Sequence, residues 1–270
     1  MTEQTELAIR VPAFLLLLVG LSTWELIQPR RRLTVHQGKR WANNLGLLVL
    51  NTVGVRSLLP LTAAATAALA LEHGWGVLNH VDWPDWFEVI VTVMIMDLAI
   101  YLQHVLFHAV PVLWRLHLVH HADLDCDVTT GVRFHPLEML LSALIKIGVV
   151  AALGPSVVGV VLFETLLNTT SMFNHSNIRL PIKVDQWLRW FVVTPDMHRV
   201  HHSTQRHEAG SNFGFNMPWW DYVLGTYLPQ PEAGHDAMST GVVGLQEERV
   251  VERLPGMLSL PFQSAASDHR

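Results

Sequence analysis

Eight histidines in this sequence are spaced so that they could hold metal. His104 and His108 lie four apart; His117, His120 and His121 form H-x-x-H-H; and His198, His201 and His202 repeat that pattern further along. On a helix, residues three and four apart share a face, so each cluster can aim imidazoles at one point. Imidazole suits zinc, copper, iron and nickel. A single histidine would be read as a surface or hydrogen-bonded core residue; three clusters at helical spacing would not. Structural zinc is nearly always four-coordinate, so eight nitrogens predict two ions close together. His135, in R-F-H-P, and His175, in F-N-H-S-N, stand alone. Both are expected as further ligands because each falls where a helix should meet the membrane edge, at the depth of the clusters. The plainer alternatives are a helix start before Pro136 and a polar helix end.

Neutral ligands around two dications leave a large positive charge. Carboxylates bonded to the distal ring nitrogens commonly offset it. Asp97, Tyr101, His104 and His108 step by four, three and four along one helix stripe. An acid inside a membrane span is costly and normally functional. Asp97 is therefore the expected carboxylate partner, and Asp97 and Tyr101 are the candidate catalytic side chains. Asp123, Asp127, Glu138 and Asp196 are weaker candidates for the same duty.

The elements that must carry these side chains belong in a bilayer. Half of the 270 residues are hydrophobic and only 15% are charged, against about 25% in soluble domains. A net charge of −5 leaves no basic footprint for nucleic acid. One cysteine, Cys126, excludes an intrachain disulfide and makes sulfur an improbable metal ligand. Leu7 to Ile27 is long enough to cross a membrane, and its flanks suit a retained helix better than a cleaved signal peptide. Arg30, Arg31, Arg32, Lys39 and Arg40 follow, so this loop is expected in the cytoplasm. A second span covers Asn43 to Leu71, interrupted by Arg56 and Pro60. A third runs from near Trp86 into the first histidine pair. Leu137 to Phe173, broken at Gly154-Pro155-Ser156, reads as a helical hairpin. Ile182 to Val193 is amphipathic, either lying in the interface or packed on the core. The prediction is an all-α integral membrane protein with about four transmembrane elements, the hairpin counted as one, and a cytoplasmic histidine-rich helical cap. Residues 1–42 form the first helix and basic loop, 43–230 the metal domain, and 231–270 a polar cytoplasmic tail, frayed at its end.

The combined pattern resembles the sterol desaturase / fatty acid hydroxylase superfamily. The likeness runs from Asp97-x3-Tyr101-x2-His104-x3-His108 through Leu113-Trp114-x2-His117-x2-His120-His121. It continues through Thr129-Thr130-x2-Arg133-x-His135-Pro136-x-Glu138, Asn174-His175-x-Asn177 and Thr194-Pro195-x2-His198-Arg199-x-His201-His202. It ends with Asn212-x-Gly214 and Trp220-Asp221-x3-Gly225-Thr226-Tyr227. Many members carry Arg after the first histidine of H-x3-H, where this chain has Val105; that Arg is not a ligand in the pattern. The resemblance implies a multi-pass membrane enzyme with two iron ions that uses O2 to hydroxylate or desaturate a lipid. By the same likeness His135 and His175 complete the metal shell. Electrons are expected from a separate ferredoxin or cytochrome b5 type protein and its reductase. Trp114, Phe107, Phe134, Met172 and Phe173 are candidates to line a lipid pocket, with core packing the plainer role for each.

Two rival readings use the same histidines. A zinc-dependent membrane hydrolase would activate water and need neither O2 nor reductant, but the chain has no H-E-x-x-H. A non-catalytic metal carrier or haem-transfer protein would want metal sites spread along several spans, whereas these ligands gather at one membrane face.

Overall fold

The computed structural model describes residues 3–263. Long apolar helices form because the sequence supplies runs of Leu, Val, Ile and Ala with starts and stops at their ends. α1 spans Glu3–Ile27 and α2 spans Gln37–Leu58. α3 (Ala63–His73) starts at Thr62, whose hydroxyl accepts from Ala65 N, and stops at Gly74 with φ 67°. α4 (Asp85–Ala109) yields at Val110 to α5 (Pro111–His121). A residue before proline is forced out of the helical region, so the chain turns there. α6 (Pro136–Leu153) opens on a proline and ends at Gly154, which takes a left-handed φ of 63°. α7 (Val157–His175) is capped by the Ser156 hydroxyl. The shorter α8 (Ile182–Leu188) and α9 (Pro195–His201) precede α10 (Arg206–Ala209), α11 (Trp219–Leu224), α12 (Gly234–Ala237), α13 (Glu248–Val251) and α14 (Leu254–Ser259).

The protein is all-helical and integral to the membrane. Five stretches are long and apolar enough to cross a bilayer, with α2 and α3 forming one of them and α6 and α7 counted separately. The second stretch breaks at Pro60, as the sequence suggested. The two helices expected of 137–173 form and break at 154–156, as the sequence suggested. They scarcely touch each other; α3 and α4 each pack against both. Ala63, Ala64 and Ala67 of α3 fill the space between them, against Val150, Val160 and Val161. Small side chains let a third helix approach where the hairpin reading had none. A slot therefore runs between α6 and α7 on the side of α4.

Two further segments are more defined than composition suggested. The segment 231–263, expected as a polar tail and short cap, is anchored by a buried apolar face. Val242, Leu245, Val251, Met257 and Leu260 are buried against Leu118, Val119 and Ala122 at the end of α5. Glu252, nearly fully buried, bonds Arg133 at 2.8 Å. A polar average concealed five apolar anchors and the buried pairing of Glu252; the fraying predicted for the final residues lies outside those described. The amphipathic segment 182–193 is turned opposite to a core helix. Asp185 is buried, bonding Arg189 at 2.7 Å, while Ile182, Trp187, Trp190 and Phe191 face outward.

A candidate dinuclear metal centre

Four helices end at one place. His104 and His108 close α4, His120 and His121 close α5, His175 closes α7, and His198 and His201 lie in the last turn of α9. A helix C-terminus carries partial negative charge and favours cations. The converging ends thus make a cation site even before any side chain contributes.

Nine histidines form two adjoining groups. One contains His104, His108, His117, His121 and His201; the other contains His120, His175, His198 and His202. Within each group the candidate ligand atoms all lie within 4.8 Å of one another. The H-x-x-H-H motifs do not aim at one point each, as the spacing suggested. Each is divided between the groups. Residues four apart share a group (His117 with His121, His198 with His202), while the middle histidine goes to the other. At 3.6 residues per turn, neighbours such as His120 and His121 diverge by about 100°, so one motif reaches two centres. The groups abut: the rings of His121 and His202 stack with centroids 4.6 Å apart.

The hydrogen bonds fix which ring nitrogen is free. His104 Nδ1 donates to Phe213 O (2.7 Å), His201 Nδ1 to Ser211 O (2.7 Å), His175 Nδ1 to Ser171 O (2.6 Å) and His120 Nδ1 to Arg133 O (3.2 Å). A carbonyl can only accept, so these protons sit on Nδ1 and each Nε2 keeps a lone pair. Yet His104 and His201 bring their Nε2 atoms to 3.0 Å, and so do His120 and His175. Neither partner in these pairs has a hydrogen to give. Two lone pairs held at that distance want a cation between them. Nitrogens bound at about 2.1 Å to one ion and at right angles sit roughly 3.0 Å apart. His108 Nε2, His121 Nε2 and both nitrogens of His202 are buried with no protein partner, as ligand atoms of an ion would be. Burial, and for all but His117 the neighbouring imidazoles, keep these rings neutral: His117 is pushed down to about 3, and His120, His121, His198, His201 and His202 fall well below the ordinary range.

The carboxylate partner is Glu138. His117 Nδ1 donates to its Oε1 at 2.6 Å. Asp97 is buried but contacts no histidine; it accepts from Trp220 Nε1 at 2.8 Å. Asp97 shares α4 with His104, but its side chain lies two turns away and meets Trp220 at the start of α11. Tyr101 supports the loop before α11. Its hydroxyl bonds Thr226 Oγ1 at 2.7 Å, which donates to Asp221, which in turn accepts from Phe213 N and Gly214 N. Asn212 sits between the two carbonyls that hold His201 and His104. It is the one non-glycine residue described with positive φ (51°), and its side chain bonds Met197 O and Leu228 O.

His135 is not brought to either group. Its Nδ1 accepts from Leu137 N at 3.2 Å, capping α6, and its Nε2 lies 3.3 Å from Leu258 O. The helix-start alternative describes it. Behind the second group lies a buried ion cluster. Arg40 bonds Asp123 through two nitrogens at 2.9 Å and Asp127 at 2.6 Å; Arg133 bonds Glu252 and Val119 O. Arg133 is thereby clamped while its carbonyl holds His120.

A cleft opens beside His104, His117 and Glu138 and runs down the slot between α4, α6 and α7. Phe107 and Phe134, two of the five candidate pocket residues, line it. Trp114 instead packs on His108 and His121, and Met172 and Phe173 belong to the core near α1.

The fatty acid hydroxylase family profile matches residues 89–226, about half of the chain, and so covers every histidine of both groups. The chain belongs to the fatty acid hydroxylase family. It is a lipid-modifying membrane oxidoreductase, and its histidine groups fit the family's iron-dependent oxygenation. Among its relatives is the ornithine lipid hydroxylase of Rhizobium tropici, 26% identical over 90% of this chain and 74% of that protein. The alkylglycerol monooxygenases of Xenopus tropicalis and Homo sapiens are 26% and 25% identical over 57% of this chain. The chain spans about a third of the length of those two. A rice very-long-chain aldehyde decarbonylase is 25% identical over 54% of this chain and 23% of its own length. No solved structure matches.

Proposed function

We propose that this chain hydroxylates a membrane lipid at a pair of iron ions, one in each histidine group, with electrons from a separate ferredoxin or cytochrome b5 type protein. The observation that carries this reading is the close approach of imidazole nitrogens that hold lone pairs and no protons. Five imidazoles would hold one ion and four the other. Iron bound there supplies the capacity to oxidise an unactivated C–H bond with O2. Hydroxylation puts one oxygen atom into the lipid and releases the other as water, using two electrons and two protons. The names of two relatives, a hydroxylase and a monooxygenase, favour this outcome over desaturation.

The chain's own residues do the positioning. Carbonyls of Ser171, Ser211, Phe213 and Arg133 keep four rings in one tautomer and orientation, a constraint worth 10–100-fold in metal affinity or activity in comparable sites. Glu138 adds negative charge beside His117. Phe107, Phe134 and Phe215 wall the cleft at the metal end, keeping water away and setting a lipid carbon against His104 and His117. We place the centre at the cytoplasmic face. Arg30, Arg31 and Arg40 lie on that side of the molecule, where Arg30 bonds Asp196 and Arg40 bonds Asp123. The outward Trp187, Trp190 and Phe191 then lie at the level of the lipid headgroups.

The test is expression of wild type, His120→Ala and His201→Ala, with lipid mass spectrometry. Wild type should yield an oxygenated lipid and both variants should lose it; an unchanged product in both ends the reading. Iron rather than zinc in the purified protein, and reductant-dependent O2 consumption, separate it from a hydrolase.

A further inference from the structure

The cleft is not lined as a sleeve for bare hydrocarbon. Gln103, Ser142, Lys146 and Asn168 face it, within the spanning helices. Charged side chains at such depth are rare, face a cavity, pair with one another and mark substrate pathways. Lys146 Nζ bonds Glu164 Oε1 at 2.8 Å, and Glu164 Oε2 accepts from Arg10 at 2.9 Å. Glu164 therefore keeps a cationic partner when the ammonium of Lys146 swings to a ligand. Gln103 Nε2 donates one hydrogen to Ser142 Oγ at 3.1 Å, and an amide nitrogen carries two, so the second can go to a ligand that accepts. A hydrocarbon occupant satisfies neither that N–H nor the ammonium of Lys146, and a site built to hydrogen-bond its substrate rejects an occupant that cannot.

We propose that Lys146 and Gln103 form a subsite for the anionic group of the lipid substrate, a carboxylate or a phosphate. This rests on the oxygenase reading above for its consequence but not for its test. Lys146 is two turns along α6 from Glu138, about 12 Å of helix rise. The oxidised carbon is therefore near the polar part of the lipid rather than at the far end of an acyl chain. The uncharged hydrocarbon occupies the apolar walls and leaves the slot sideways into the bilayer.

The experiment measures equilibrium binding, without O2, to the iron-loaded protein in phosphatidylcholine nanodiscs. The probes are oleate, dioleoyl phosphatidate and the uncharged methyl oleate. Oleate identifies a free carboxylate as the ligand chemistry and phosphatidate a headgroup phosphate. One of them should bind about tenfold more tightly than methyl oleate, the scale of a single hydrogen bond to a charged group. Lys146→Met should abolish that preference, Lys146→Arg should keep it, and iron content should not change. Where Lys146→Met fails to fold, Lys146→Met with Glu164→Gln removes both partners of the pair and should lose the preference equally. Equal binding of methyl oleate and both anions, or a preference that survives Lys146→Met, overturns the proposal. Loss of preference without any oxygenated product from wild type under turnover sinks the oxygenase reading and leaves the subsite standing.

Discussion

The two histidine groups are built from similar parts and supported differently. The first rides mainly on α4 and α5 and borders the cleft through His104 and His117. Its outer bonds go to a carboxylate, Glu138, and to the loop carbonyls of Ser211 and Phe213. The second draws one histidine from α5, one from α7 and two from the α9 region, and none of the four lines the cleft. Its outer bonds go to Ser171 and Arg133 carbonyls, and Arg133 is fixed by buried ions. One group borders the cleft and is braced by a loop; the other lies off it and is braced by charge. If the proposed function holds, the first group sets where oxygen is delivered and the second chiefly completes the pair.

That contrast can be broken most directly at the ligands. His104→Ala should empty the first group and His198→Ala the second. Each should cut product formation by about a thousandfold or more, the scale on which essential catalytic groups act, while about one iron per chain remains. Iron analysis checks the second half: loss of both ions in both variants would mean the groups are one site. Next in size is Arg40→Met. Removing one partner of a buried ion pair costs about 3–5 kcal/mol, so the thermal midpoint should fall steeply, and His120 should lose its orientation before His104 does. Glu138→Gln should weaken iron at the first group by about 10–100-fold and leave the second unchanged in a titration. The smallest effect is expected from Tyr101→Phe. It deletes one hydrogen bond worth about 1 kcal/mol from the brace behind Phe213, so activity should fall a few-fold with full iron content. A Tyr101→Phe variant as inactive as His104→Ala would make Tyr101 a catalytic residue, as its place on the α4 stripe first suggested.

The histidines were legible because metal ligands must be side chains and helical spacing must bring them to one face. The partition into two groups was not, since it depends on how the ends of α5 and α9 face each other. The outer supports were mostly hidden for a simple reason: carbonyls of Arg133, Ser171, Ser211 and Phe213 look like every other carbonyl in a sequence. Among carboxylates, helix register pointed to Asp97, but the partner of His117 comes from another helix, α6, and only its packing selects Glu138. His135 misled because a histidine before proline serves equally as a ligand or a cap. What packs around these helices was not legible: composition over 137–173 and 231–270 carries no sign of the small-residue face of α3 or of the anchors Val251, Met257 and Leu260.

The docking of Glu252 onto Arg133 bears on how the protein matures. Arg133 steadies His120, yet its acidic partner is made more than a hundred residues later. A nascent chain whose five apolar stretches have already entered the bilayer still lacks that clamp. The support behind His120 is therefore complete only once residue 252 has been made, after the last of the apolar stretches.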